Sequence, residues 1–123
     1  MQTFSKTERL CSQVLIERLV EKGKSFNSFP FRITWMEIAE SSSPIKIVIS
    51  VPKRIVKKAV ERNKIKRQIR EVYRKEKQKC YDLLGDKKIL LMLVYTSKTK
   101  MEFKVLEEKI IEALQRLNKT VNR

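Results

Sequence analysis

Five cations and one asparagine occupy the nine residues RNKIKRQIR, Arg62 to Arg70. A guanidinium group offers a planar fork of donors that grips phosphate or a base edge through two bonds. An ammonium group acts as a point charge, and asparagine adds a neutral donor and acceptor. Gathered on one surface, such side chains bind a polyanion. On a helix at 100° per residue, Asn63, Arg67, Arg70, Arg74 and Lys77 fall on one arc, with Lys66 at its edge, while Ile65, Ile69, Val72 and Tyr73 fall on another with Cys80 close to it.

The competing explanation is an ordinary solvated face, but such faces mix signs so that groups four apart attract one another. From Pro52 to Lys79 there are 13 basic residues and three acidic ones, Glu61, Glu71 and Glu76, none of them on the stripe. Like charges at i, i+3 and i+4 each cost a few tenths of a kcal/mol, about 0.2–0.5. Phosphates laid along the stripe reverse that sign and release condensed counterions. An asparagine inside the stripe exceeds what nonspecific attraction requires and favours a shaped RNA surface.

Catalysis by the chain itself has little to work with. Histidine is absent, which removes the commonest general base and metal ligand. The acidic residues are dispersed, and Glu107 and Glu108, adjacent in sequence, point to different parts of a helix surface. Neither a two-metal carboxylate cluster nor a histidine-based acid and base is available. We therefore expect no catalytic residue and no metal site on the protein.

The remaining sequence must position the stripe. With 123 residues, we expect a single domain spanning 1–123, and the formal charge of +15 calls for a polyanionic partner. No apolar run approaches the ~20 residues of a membrane span, and no apolar signal core opens the chain, so a cytoplasmic protein without membrane association is expected. Cys11 and Cys80 lack CxxC or Cys/His company and read as reduced thiols.

Apolar spacing predicts a helix over Glu8–Lys22, stopped by Gly23. Alternation predicts a strand through Phe29, Phe31, Ile33 and Trp35, ended by the Ser41–Pro44 turn, and a buried strand over Ile45–Val51. The basic helix starts between Ile55 and Lys58 and runs to about Cys80. After a turn at Leu84–Asp86, KILLMLVYT forms a further strand. Thr99 and Glu102 have capping-box spacing for a last helix with Phe103, Leu106, Ile110, Leu114 and Leu117 on one face, followed by a frayed basic tail from about Asn118. The order is α-β-β-α-β-α.

The stretch ISVPKRIVKKAVERNKIKRQIREVYR, Ile49 to Arg74, resembles the bacterial ribonuclease P protein subunit: a strand ending in Ser-Val, a basic pair, Ala-Val, then Arg-Asn-basic, Lys-Arg and a further Arg. The EKGK turn at Glu21–Lys24 and the following FPFR agree with it. The resemblance implies an α+β fold, an α/β sandwich with a small central sheet and a left-handed βαβ crossover, of the ribosomal-protein S5 domain 2-like type. It implies a monomer, one copy per RNA, that binds a catalytic RNA and the 5′ leader of precursor tRNA, while the RNA and its Mg2+ perform the hydrolysis and the protein alone holds no cofactor. Lys53, Arg54, Arg62, Asn63, Lys64, Lys66, Arg67, Arg70 and Arg74 would dock on the RNA. A cleft between the first helix and the sheet would hold the leader, with Ile16 and Val20 on the helix, and Phe31 and Trp35 on the strand able to stack on bases.

Two other functions share parts of the pattern. A ribosomal or ribosome-assembly RNA-binding protein has the same charge and lacks nuclease activity; only the Ile49–Arg74 pattern separates it. A DNA-binding regulator would pair its recognition helix with another across a tight turn, whereas here the basic helix follows a strand.

Overall fold

The computed structural model describes residues 13–39 and 43–122. In chain order these form α1 (Gln13–Lys22), β1 (Lys24–Ser28), β2 (Phe31–Ile38), β3 (Ile45–Ser50), α2 (Ala59–Leu84), β4 (Lys88–Tyr95) and α3 (Phe103–Val121). One four-stranded sheet has the order β1-β2-β4-β3. The β1–β2 and β2–β4 pairs are antiparallel, while β3 and β4 run parallel with α2 as their crossover. An α+β architecture is therefore as expected, with one strand more than the alternation suggested.

That additional strand, KSFNS, is polar, lies at the sheet edge and buries none of its residues fully. The tight Phe29–Pro30 connection, with a cis peptide bond, separates it from β2. Phe29 is consequently an exposed turn residue rather than the start of a strand.

Alternation sorts each central strand between two faces. Phe31, Ile33 and Trp35 of β2 stand in register with Tyr95, Leu93 and Leu91 of β4. Together with Ile45 and Ile47 of β3 they meet Ile69, Val72, Tyr73 and Cys80 of α2, and Leu106, Ile110, Ala113, Leu114 and Leu117 of α3, in the main core. The other face carries a smaller cluster: Leu19 and Leu90 are buried, with Leu15, Ile16, Met36, Ile38, Val48 and Met92 partly buried around them. Among the described residues, α1 covers this second face, packing on β2 and β4.

Three local features differ from the expected ones. Lys58 is the N-cap of α2, so the helix begins just after the predicted window, and it continues past Cys80 to Leu84. Glu102, not Thr99, precedes α3 and makes no side-chain cap bond. The Thr99 N–H is instead taken by the Ser97 hydroxyl, which also donates to the Thr99 carbonyl (2.9 Å). Asn118 belongs to α3, not to a frayed tail: Asn118 and Val121 are buried. Lys87 Nζ donates to the Val121 carbonyl (2.8 Å) and Asn122 Nδ2 to that of Leu83 (2.9 Å), tying this end to the α2–β4 turn.

Both glycines mark helix ends. Gly85 takes φ 63°, a left-handed conformation that ends α2. Gly23 N–H donates to the Leu19 carbonyl (2.8 Å). A Cβ at this position would collide with the same carbonyl and lie 2.8 Å from Thr34 Cγ2. Glu8, where the first helix was expected to start, Cys11 and Ser41 lie outside the described residues.

Candidate nucleic-acid interface

A helix of 26 residues is about 39 Å long, long enough to carry a groove-sized row of charges. Burial of Ile69, Val72, Tyr73, Cys80 and Leu84 fixes its rotation. The opposite arc is thereby forced outward: Asn63, Lys64, Arg67 and Arg70 are exposed, and Lys66 is half-buried. Lys53 and Arg54, in the turn between β3 and α2, are also exposed. Among the described residues no carboxylate pairs with any of these cations. The expected cluster is thus a continuous unneutralised surface over two turns and more of helix.

Two of the predicted contacts have other employment. Arg62 Nη1 donates to the Val56 carbonyl (3.0 Å) and the Lys57 carbonyl (2.7 Å), bracing the β3–α2 connection against the helix it feeds. Arg74 pairs with Glu71 through Nη2–Oε1 at 2.5 Å. The i, i+3 spacing lets Glu71 reach the stripe from off its arc. The bond to Arg74 holds the Glu71 carboxyl below its ordinary pKa, and the same bond raises that of Arg74. The available surface therefore centres on Asn63–Arg70, with Arg74 already engaged at its far end.

Cys80 lies on the inner arc, where burial pushes its thiol pKa up against an opposing hydrogen bond from Asn118. A protonated buried thiol is a packing group rather than a nucleophile.

The second predicted surface divides. Phe31 and Trp35 are buried in the main core, 1% and 4% exposed, on the sheet face opposite α1. Phe31 meets Tyr95 edge-on with centroids 6.0 Å apart, and Lys24 Nζ sits 5.5 Å from the Trp35 ring. Neither ring can reach a base, so the expectation that they stack on a leader is withdrawn. Ile16 and Val20 do flank the open face: Ile16 is half-buried in the smaller cluster, and Val20 is 62% exposed.

Sequence reading missed the sheet side of that face. Register places Arg32, Val94 and Ser50 in one row, and Thr34, Met92 and Val48 in the next. Arg32 is exposed, while Ser50, Val94, Met92 and Val48 are half-buried. A hollow of about 400 Å³ near the start of α1 is lined by Leu15, Arg18, Met36, Glu37, Ile38, Ala39 and Lys46. The face is thus a shallow apolar trough with cations along it and no aromatic ring from β2. The signal was the parity of β2: Phe31, Ile33 and Trp35 share the phase of the most apolar positions of β3 and β4, leaving the even positions for the exposed side.

Among the described residues no group of three or more His, Cys, Asp or Glu side chains is arranged to hold a metal ion, and no helix is long and apolar enough to cross a membrane.

Comparison with known proteins agrees with this geometry. The family model described as Ribonuclease P matches residues 4–118. A ribonuclease P protein component of Porphyromonas gingivalis W83 is 30% identical over 121 residues, covering 93% of this chain and 85% of that protein. The structure of the Staphylococcus aureus RNase P protein superposes with a TM-score of 0.69 at 27% identity, over 91% of this chain and 95% of that one. That of Thermotoga maritima, at 22% identity and TM-score 0.67, shares the fold over 94% of this chain and 97% of that one.

Proposed function

From the chain's membership of the ribonuclease P protein family, we propose that it docks on the catalytic RNA through α2 and holds the 5′ leader of precursor tRNA in the trough beside α1. The ribosomal and assembly-factor alternative is not favoured, since the matching proteins are ribonuclease P components. The observation that carries the docking reading is the row Asn63, Lys64, Lys66, Arg67 and Arg70, with Lys53 and Arg54 beside it, turned outward by a buried opposite arc and lacking acidic partners. Arg62 braces the approach to this row and retains its other donors for phosphate. Arg74 joins once phosphate displaces Glu71.

The leader is single-stranded, so its backbone can follow cations while its bases lie against apolar surface. Arg32 and Lys46 supply charge near the two ends of the trough. Ile16 and Val20 on α1 and Val48 and Met92 on the sheet supply the apolar contacts. The contact is dispersive packing, not aromatic stacking, which suits a leader of varied sequence.

Mg2+ bound to the RNA would supply Lewis-acid and water-activating chemistry at the scissile phosphate. The protein's part is to dock, to orient the leader and to screen the repulsion between two polyanions. We read it as a cytoplasmic monomer, one copy per RNA.

Reconstitution tests partner and reaction together. Chain and catalytic RNA together should cleave precursor tRNA at the mature 5′ end at a Mg2+ concentration where the RNA alone is inactive. Cleavage unaffected by the chain would overturn the proposal. With about six phosphates contacted, log affinity should fall against log salt with a slope of roughly −4 to −5. A slope near zero would remove the electrostatic account.

A further inference from the structure

A recess of about 560 Å³ lies where α2 and α3 begin, on a flank of α2 that meets the docking row at Lys64. Ile55, Val60, Ile65, Met101 and Phe103 give it an apolar lining, and Tyr95 and Leu106 stand among its walls. Its size is that of a small-molecule site, within the ~300–1,000 Å³ usual for one. A duplex cannot enter such a space, but a single nucleotide can.

The rim is cationic. Lys57, Lys64, Lys98 and Lys100 border the recess against two carboxylates, Glu61 and Glu102. All four lysines are exposed, and among the described residues none is paired with an acidic group. Val60 is 81% exposed and Phe103 38% exposed, so apolar surface is held in water inside a ring of positive charge. Neither helix has a side-chain cap bond at its start, which leaves first-turn amides of both without a side-chain acceptor. Apolar lining, an aromatic edge and a cationic rim are the chemistry of a base with its phosphate. Lys64 lies both on this rim and in the docking row, so RNA seated on α2 passes the mouth of the recess.

We propose that the recess receives one unpaired nucleotide of the catalytic RNA, its base against Val60, Ile65 and Phe103 and its phosphate among Lys57, Lys98 and Lys100. This rests on the docking of α2 on RNA. It adds a contact that reads an extruded base, where the stripe reads only backbone shape.

The test is a cross-link made in the reconstituted holoenzyme. A photoreactive benzoylphenylalanine installed at Val60, an exposed position, should attach to one or two adjacent unpaired nucleotides, mapped by reverse-transcription stops. The Lys98→Ala/Lys100→Ala protein should bind the RNA about tenfold more weakly, the order of one lost charged hydrogen bond to phosphate, and should leave that same nucleotide open to chemical modification. Its circular dichroism should match the wild type. Cross-links scattered over paired regions, cross-links to a second protein, or wild-type affinity of the double variant would each overturn the proposal. Arg67→Ala/Arg70→Ala is measured in parallel. If only that variant loses RNA, the recess proposal falls and the docking reading stands; if neither does, both fall.

Discussion

Ile69 and Arg70 are neighbours on α2, yet one is wholly buried and the other exposed. The inner arc of the helix is complete within the polypeptide, for its apolar groups already have their partners in the sheet and α3. The outer arc is complete only with something else beside it. A single helix thus divides its obligations by angle: stability lies on one side and affinity on the other. The division is legible because burial of the inner arc leaves the outer arc no rotational freedom to hide its charge.

Substitutions on either side of that boundary should separate cleanly. Replacing Arg67 and Arg70 together with alanine should weaken RNA docking by about 1.5–3 kcal/mol for each lost charged hydrogen bond. The melting temperature should not move; an unfolded double variant would show that these residues serve the fold. Ile69→Ala should do the reverse, costing roughly 2–5 kcal/mol of unfolding free energy in denaturant titration, with RNA affinity per folded molecule unchanged.

The sheet's two faces offer a parallel pair. Val20→Asp, on the open face, should weaken binding of leader-bearing precursor tRNA by about 1 kcal/mol, less than full burial of a valine, and leave leaderless tRNA unaffected. Equal loss for both substrates would place the leader elsewhere. Glu71→Gln releases Arg74 to the outer arc and should tighten RNA binding slightly, a change smaller than any of those above and visible as a steeper salt slope. In a Cys11→Ser background, Cys80 should resist a disulfide reagent at neutral pH until the protein opens, because burial favours its protonated form; reaction at the rate of a free thiol would place it outside the inner arc.

Most of this organisation is written in periodicity. The spacing of Ile65, Ile69, Val72 and Tyr73 locates the inner arc of α2, and everything about the stripe follows from it. What periodicity omits is partnership. Phe31 and Trp35 alternate as a strand should, but alternation within β2 does not say whether α1 or the α2–α3 layer covers them; that depends on pairing with β4, remote in sequence. β1 was invisible for a different reason: an edge strand with one half-buried apolar residue, Phe26, has almost no pattern to display. Thr99 and Glu102 have the right spacing for a cap, yet Ser97 takes the Thr99 amide first, so a local competitor decided that turn. Glu71 lies off the stripe by angle, yet its side chain is long enough to cross to Arg74.

Gly23 gives the open face its dimension. No other residue can sit between the Leu19 carbonyl and Thr34 without levering the end of α1 away from β2. That single missing carbon therefore acts as a gauge, setting how closely the helix seats over Leu90 and so how wide an open strip of sheet remains beside it. Alanine at this position would change the width of that strip without changing the identity of any residue that lines it.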